Sequence, residues 1–156
     1  KMRIGHGYDA HKIIPGNGMV LGGVFIESKF SIEAHSDGDL IAHALIDALL
    51  GAAGLGDIGT YFPSDDDKYL DVSSRELLKE VADKLKSANF KVQNIDITFI
   101  GQTPKLNSYI PSIKENLSQD LKISKAMVNC KATTTDFLGF QGEMKGLSCH
   151  AVVLIK

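Results

Sequence analysis

The stretch "AHSDGDLIAHALIDALLGAAGLGDIG", Ala34 to Gly59, decides how this chain folds. Its alanine- and leucine-rich middle predicts an amphipathic helix over about 40–54. Ser36 with Asp39 three residues on reads as a capping signal at its start. Gly54 reads as the glycine that ends it, followed by a tight loop presenting Asp57. "GLGDIG", Gly54 to Gly59, matches G-x-G-x-x-G by letter, but it follows a helix where a dinucleotide site needs a preceding strand. The helix carries His43 on an otherwise apolar background, with Asp47 one turn later on the same face. Asp47 is expected either to orient His43 or to face solvent.

Working back to the N-terminus, "GHGYDAHKI", Gly5 to Ile13, places Asp9 and His11 two residues apart. In an extended segment both side chains point to one face. Taken singly, Asp9-x-His11 is an ordinary turn pairing and His43 an ordinary half-buried helical histidine. Taken together, they offer two imidazoles and a carboxylate. Three N/O donors with a fourth position open is the pattern of a catalytic zinc or similar divalent ion.

Around these segments, 2–11 predicts a strand, "PGNG" a turn, and "MVLGGVFIE" a second strand. Residues 56–71 read as a long surface loop. A second helix is expected over 74–88, with Ser73 and Glu76 as a capping box. "VQNIDITFIG" alternates as a strand. A short helix with Pro111 near its first turn follows. "AMVNCKATTT" and "LSCHAVVLIK" read as further strands around the loop "DFLGFQGEMKG". The expected fold is α/β or α+β: one domain over 1–156, a mixed sheet with helices packed on one face.

Composition excludes several classes. Charged residues are 23% of the 156, with a net charge of −2, which does not suit an electrostatic nucleic-acid binder. No apolar run spans a bilayer. Cys130 and Cys149 stand in no paired motif and read as buried thiols. No signal-like segment precedes Met2, so a trimmed form without its targeting segment is expected.

Four further places invite a chemical reading beside a plain one. His35 and Ser36 precede the helix, where phosphate binding competes with a simple cap and a surface histidine. "KATTTD", Lys131 to Asp136, offers hydroxyls for phosphates and Asp136 for magnesium, or merely a threonine-rich strand. Lys105 is a phosphate contact or a solvated lysine. "SDDD", Ser64 to Asp67, is a solvated run by default. His6 and His150 read as structural, without evident partners.

The segments "RIGHGYDAH", "AHSDGDLIAHALIDALLGAAGLGDIGTYFP", "SRELL", "PKL" and "NCKATTTDFLGF" occur in one order over residues 2–155. Together they closely resemble the 2-C-methyl-D-erythritol 2,4-cyclodiphosphate synthase family of the non-mevalonate isoprenoid pathway. The resemblance implies a phosphorus–oxygen lyase that cyclises 4-diphosphocytidyl-2-C-methyl-D-erythritol 2-phosphate and releases CMP. It implies a homotrimer with active sites at subunit interfaces, one zinc ion per subunit, and magnesium or manganese with the substrate diphosphate. Asp9, His11 and His43 match the zinc ligands. Asp9, His11, His35, Ser36, Asp57, Ile58 and Gly59 match the substrate site, with Phe62, Pro63, Ser64, Asp65 and Asp66 in a mobile loop over it. Gly101, Gln102, Thr103, Pro104, Lys105, Leu106 and Asn107 match the cytidine-diphosphate pocket, with Ala132, Thr133, Thr134 and Thr135. His35 and Thr134 match the positions that stabilise the transition state. The family occurs in bacterial cytoplasm and in plastids, including an apicoplast-type stroma, so one of these compartments is expected. Neither nucleic acid nor membrane is an expected partner.

Two departures qualify the resemblance. Asp136 stands where the family has Glu, so its contact to magnesium is direct or through water. "GEMKG" stands where the family commonly has "GRGEG", so the trimer channel keeps Phe140 but carries Glu143 and Lys145. Two other classes compete with the cyclase: a generic zinc phosphohydrolase, indifferent to Lys105 and Thr133, and an inactive binder of isoprenoid phosphates.

Overall fold

The first strand and the first helix touch at glycines, and this contact organises the molecule. The computed structural model describes residues 1–156. Strand β1 (Arg3–Pro15) alternates, with Gly5, Gly7, Asp9, His11 and Ile13 turned to one face. Helix α1 (Leu40–Ala53) lies across that face and is buried along almost its whole length. A Cβ on Gly5 would stand 1.9 Å from the Ala48 carbonyl oxygen, and one on Gly7 1.8 Å from that of Ala44. Only glycine permits this approach, backbone against backbone. Ala44, Ala48 and Ala52 recur every fourth residue on the matching helix face.

β1 pairs antiparallel with β4 (Phe30–Ile32) on one side and β7 (Gly146–Ile155) on the other. β7 pairs antiparallel with β5 (Val92–Ile100), and β5 runs parallel to β6 (Val128–Thr133). The five-stranded order is β4-β1-β7-β5-β6. Helices α3 (Ser74–Ser87) and α4 (Ile110–Leu121) join α1 on the same face, α3 against α1 and α4 against α3 and β6. Leu77, Leu78, Val81 and Leu85 of α3 complete the core with Ile95, Ile97 and Phe99 of β5. The fold is a single α+β domain with a mixed sheet, as expected.

The opposite face of the sheet is bare. Ile4, His6 and Tyr8 of β1 lie beside His150 and Val152 of β7 there; Ile4 is 77% exposed and Val152 47%.

The structure corrects several expectations. "MVLGGVFIE" is a hairpin, β2 (Gly18–Leu21) and β3 (Val24–Glu27), because Gly22 and Gly23 both take positive φ and turn the chain. β4 was not expected. The 56–71 loop contains a short helix, α2 (Ile58–Tyr61), and a 3-10 turn at Asp67–Tyr69. The 136–146 loop contains another, α5 (Gly139–Gly142). Asp39, not Ser36, caps α1: its Oδ1 accepts from Ala42 N at 3.0 Å, whereas Ser36 Oγ accepts from Gly38 N within its own turn. Gly54 ends α1 in the left-handed region, as predicted. His6 and His150 do have partners: each other, with Nε2 and Nδ1 2.8 Å apart, and Tyr8 beside the His150 ring. Cys130 and Cys149 are buried free thiols.

Candidate metal centre

Past the glycines, β1 and α1 enclose polar atoms. Asp9 and His11 continue the face that Gly5 and Gly7 occupy, and His43 sits in the first turn of α1, beside Ala44. Asp9 Oδ2 lies 3.1 Å from His11 Nε2 and 3.3 Å from His43 Nδ1. One donor atom from each residue falls within 4.8 Å of the others. Asp9 Oδ2 and His11 Nε2 are buried with no hydrogen-bond partner, so their closeness is not a hydrogen bond between them. Buried polar atoms left unpaired are costly. Two of them aimed at one point, beside a third donor, are what a divalent cation satisfies. The N/O set suits zinc, and three protein donors leave the fourth tetrahedral position to an outside ligand.

The electrostatics agree. Burial alone would raise the Asp9 carboxyl, but the imidazoles of His11 and His43 outweigh it and hold Asp9 below its ordinary value. Burial alone would lower His43; Asp9, with Asp39 and Asp37 behind, holds it above the usual histidine value. The site favours opposite charges in close array.

Two residues around His43 were missed by motif reading. Its Nε2 lies 2.8 Å from Ser74 Oγ. That hydroxyl donates to Asp37 Oδ1 at 2.5 Å, and Ser74 N–H donates to Asp37 Oδ2 at 2.8 Å. Asp37 is in the quoted stretch, and Ser74 opens α3, but 37 residues separate them. Asp47 makes no hydrogen bond or ion pair with His43; it accepts from Ile58 N at 2.7 Å and so tethers α2 to α1.

The other expected residues fall into three groups. His35 and Ser36 are exposed in the turn before α1, and Asp57 is exposed at the start of α2, accepting from Thr60 N. Ile58 and Gly59 open α2. Pro63 to Asp66 form the turn beyond it, but Phe62 is buried, its ring edge-on to Tyr69. Phe62 thus anchors that loop in the core.

The second group gathers at the C-terminal ends of the parallel pair β5 and β6. Gly101 N–H donates to the Thr133 carbonyl at 3.0 Å. Gln102 Oε1 accepts from Thr135 N and Phe137 N at 3.1 and 3.2 Å. This clamp holds Asp136 and Phe137, two successive non-glycine residues at φ 52° and 66°. Thr103 to Asn107 follow directly, with Lys105 exposed. β7 separates β5 from β1, and β5 and β7 together separate β6 from it, which puts the group about 10 to 15 Å across the sheet from His11. Clefts of about 560 and 600 Å³ open elsewhere, along α3, and neither is lined by any expected site residue. In the third region, Phe140 is 40% exposed, and Lys145 Nζ pairs with Glu143 Oε2 at 2.9 Å.

Comparison with known proteins follows the same lines. The model of the YgbB family matches residues 2–156. A 2-C-methyl-D-erythritol 2,4-cyclodiphosphate synthase of Methylococcus capsulatus is 50% identical over 153 residues, 98% of this chain and 97% of that protein. The bifunctional IspDF of Campylobacter jejuni is 40% identical with a TM-score of 0.95, covering 100% of this chain and 42% of that one. A Plasmodium falciparum IspF in complex with CDP is 36% identical with a TM-score of 0.87, covering 99% and 95%. With its glycine-seated helix, its Asp-His-His centre and a match along nearly its whole length, this chain belongs to the YgbB family, that of the 2-C-methyl-D-erythritol 2,4-cyclodiphosphate synthases.

Proposed function

We propose that this protein is a cyclising phosphorus–oxygen lyase of isoprenoid precursor biosynthesis. It converts 4-diphosphocytidyl-2-C-methyl-D-erythritol 2-phosphate into 2-C-methyl-D-erythritol 2,4-cyclodiphosphate and CMP. The observation that carries this reading is the convergence of Asp9, His11 and His43, with two buried atoms left without a partner. These three residues would hold zinc. A divalent ion there supplies a fixed positive charge that polarises phosphate oxygens and offsets the repulsion of a folded-back substrate.

In the reaction, the 2-phosphate attacks the β-phosphorus of the same molecule; the new P–O bond forms as the bond to CMP breaks. Both groups sit on one substrate, so positioning supplies much of the rate. His35 and Ser36 contact the methylerythritol phosphate from their exposed turn. Asp57, Ile58 and Gly59 contact the polyol, and Phe62 to Asp66 cover it. Gly101 to Asn107 and Ala132 to Thr135 hold the cytidine diphosphate, with Lys105 on phosphate oxygens. His35 and Thr134 stabilise charge as the bond to CMP breaks. Asp136 is a lone exposed carboxylate, which suits magnesium or manganese held mainly by substrate phosphates. No protein nucleophile is required.

The two groups of residues are separated within one chain, and the bare sheet face is apolar enough to seek a partner. A homotrimer that seats the nucleotide pocket of one subunit against the metal centre of the next accounts for both.

Purified protein is tested by phosphorus NMR and CMP release, with zinc measured in parallel. His43→Ala is expected to abolish CMP release while the oligomer survives. Undiminished turnover would defeat the reading. Release of inorganic phosphate from simple esters, insensitive to Lys105→Ala, would favour a phosphohydrolase instead.

A further inference from the structure

The hydrogen-bond network behind His43 fixes which of its ring nitrogens faces the metal position. Asp37 accepts a backbone N–H at each oxygen, from Asp39 to Oδ1 at 3.1 Å and from Ser74 to Oδ2 at 2.8 Å. This is the pattern of an ionised carboxylate, which can only accept. The short contact of 2.5 Å from Ser74 Oγ to Asp37 Oδ1 therefore uses the single hydroxyl proton of Ser74. With that proton committed, Ser74 Oγ can only accept from His43 Nε2, 2.8 Å away. Asp37 itself is 3.8 Å from Nε2, beyond direct bonding, so the hydroxyl is the necessary bridge. His43 Nε2 must carry a hydrogen. Nδ1, 3.3 Å from Asp9 Oδ2, is left as the nitrogen whose lone pair can take a cation.

We propose that Ser74 and Asp37 are positioning residues that preset His43 as an Nδ1 metal ligand and so tie metal affinity to the docking of α3. Ser74 is fully buried at the first position of α3. Asp37 lies in the turn before α1. Between them runs the segment from α1 to α3 that includes the Phe62–Asp66 loop. The network therefore pins the distal end of that segment to a metal ligand. Partners of this kind orient ligating imidazoles and raise their basicity, and their loss costs about 10- to 100-fold in metal affinity.

This inference rests on the metal reading of the site and not on the substrate's identity, so its test uses zinc alone. Zinc affinity is measured by competition with a chromogenic chelator, with circular dichroism as the check on folding. Ser74→Ala is expected to bind zinc about 10- to 100-fold more weakly than the unaltered protein. Ser74→Thr, which keeps the hydroxyl, is expected to restore most of the loss, and Asp37→Ala to reproduce it. Long-range nitrogen–proton NMR of the unaltered, zinc-loaded protein needs no variant; it is expected to show His43 protonated at Nε2. Unchanged affinity in a folded Ser74→Ala, or protonation at Nδ1, would overturn the inference and leave the metal centre standing. Failure of the unaltered protein to bind zinc would instead remove the centre itself.

Discussion

At the scale of single residues, burial sets reactivity. Asp9 Oδ2 and His11 Nε2 are buried yet unbonded, a state with a cost unless a cation completes it. Zinc is expected to raise the thermal midpoint, since a ligand that binds only the folded form stabilises it. Asp9→Ala should abolish that rise in a melting scan with and without the metal. The cysteines show the opposite case. Burial pushes the Cys130 thiol up to about 11, and Cys149 well above its ordinary value. At neutral pH neither forms appreciable thiolate, the reactive species. A thiol-reactive dye is therefore expected to label neither in the folded protein and both after denaturation. Rapid labelling of the native state would contradict the burial.

At the scale of elements, α1 is fixed by two contacts. The first is Asp39, which is fully buried. It accepts from Ala42 N at 3.0 Å, Gly22 N at 2.8 Å and Gly23 N at 2.9 Å, joining the helix to the hairpin of β2 and β3. Asp39→Ala would strand three N–H groups, two of them on another element. The expected loss is about 3 kcal/mol or more, read from urea unfolding. The second is the close seat of α1 on Gly5 and Gly7. Gly7→Ala drives a Cβ into the Ala44 carbonyl, which backbone cannot yield cheaply. A destabilisation of about 3 kcal/mol is expected. Because Ala44 adjoins His43, zinc affinity should fall with it. A variant of native stability and affinity would show that the contact is looser than its geometry.

At the scale of the whole molecule, the bare sheet face carries the largest consequence. Ile4, Tyr8 and Val152 form an apolar surface interrupted by His6 and His150. If the proposed trimer forms there, Val152→Asp places a charge at the centre of the contact, beside Asp96 in the pairing register. Sedimentation is expected to show monomers, with CMP release lost although zinc still binds. A trimer unaffected by this change would place the interface elsewhere. If Phe140, Glu143 and Lys145 line a central channel of that trimer, as the family resemblance implies, Glu143 holds Lys145 in an ion pair there. Weak binding of isoprenoid diphosphates is expected there, and Glu143→Ala should strengthen it by freeing the lysine. No helix is long and apolar enough to cross a membrane.

Periodicity located α3 and β5, because each buries one regular face and its sequence records that face. α1 was legible from its apolar run and its glycine stop, since it is buried on all but the stripe of His43, Asp47 and Gly51. The candidate ligands Asp9, His11 and His43 were legible too: spacing two in a strand places the first pair together, and an isolated histidine on an apolar helix stands out. The hairpin at Gly22–Gly23 and the short helices α2 and α5 were missed because a few residues carry no period to detect. Assigning the α1 cap to Asp39 over Ser36, pairing His6 with His150, and placing Ser74 behind His43 all depended on tertiary contact. A sequence records local geometry and burial. Which distant atoms share a proton is settled only when packing brings them within hydrogen-bond reach.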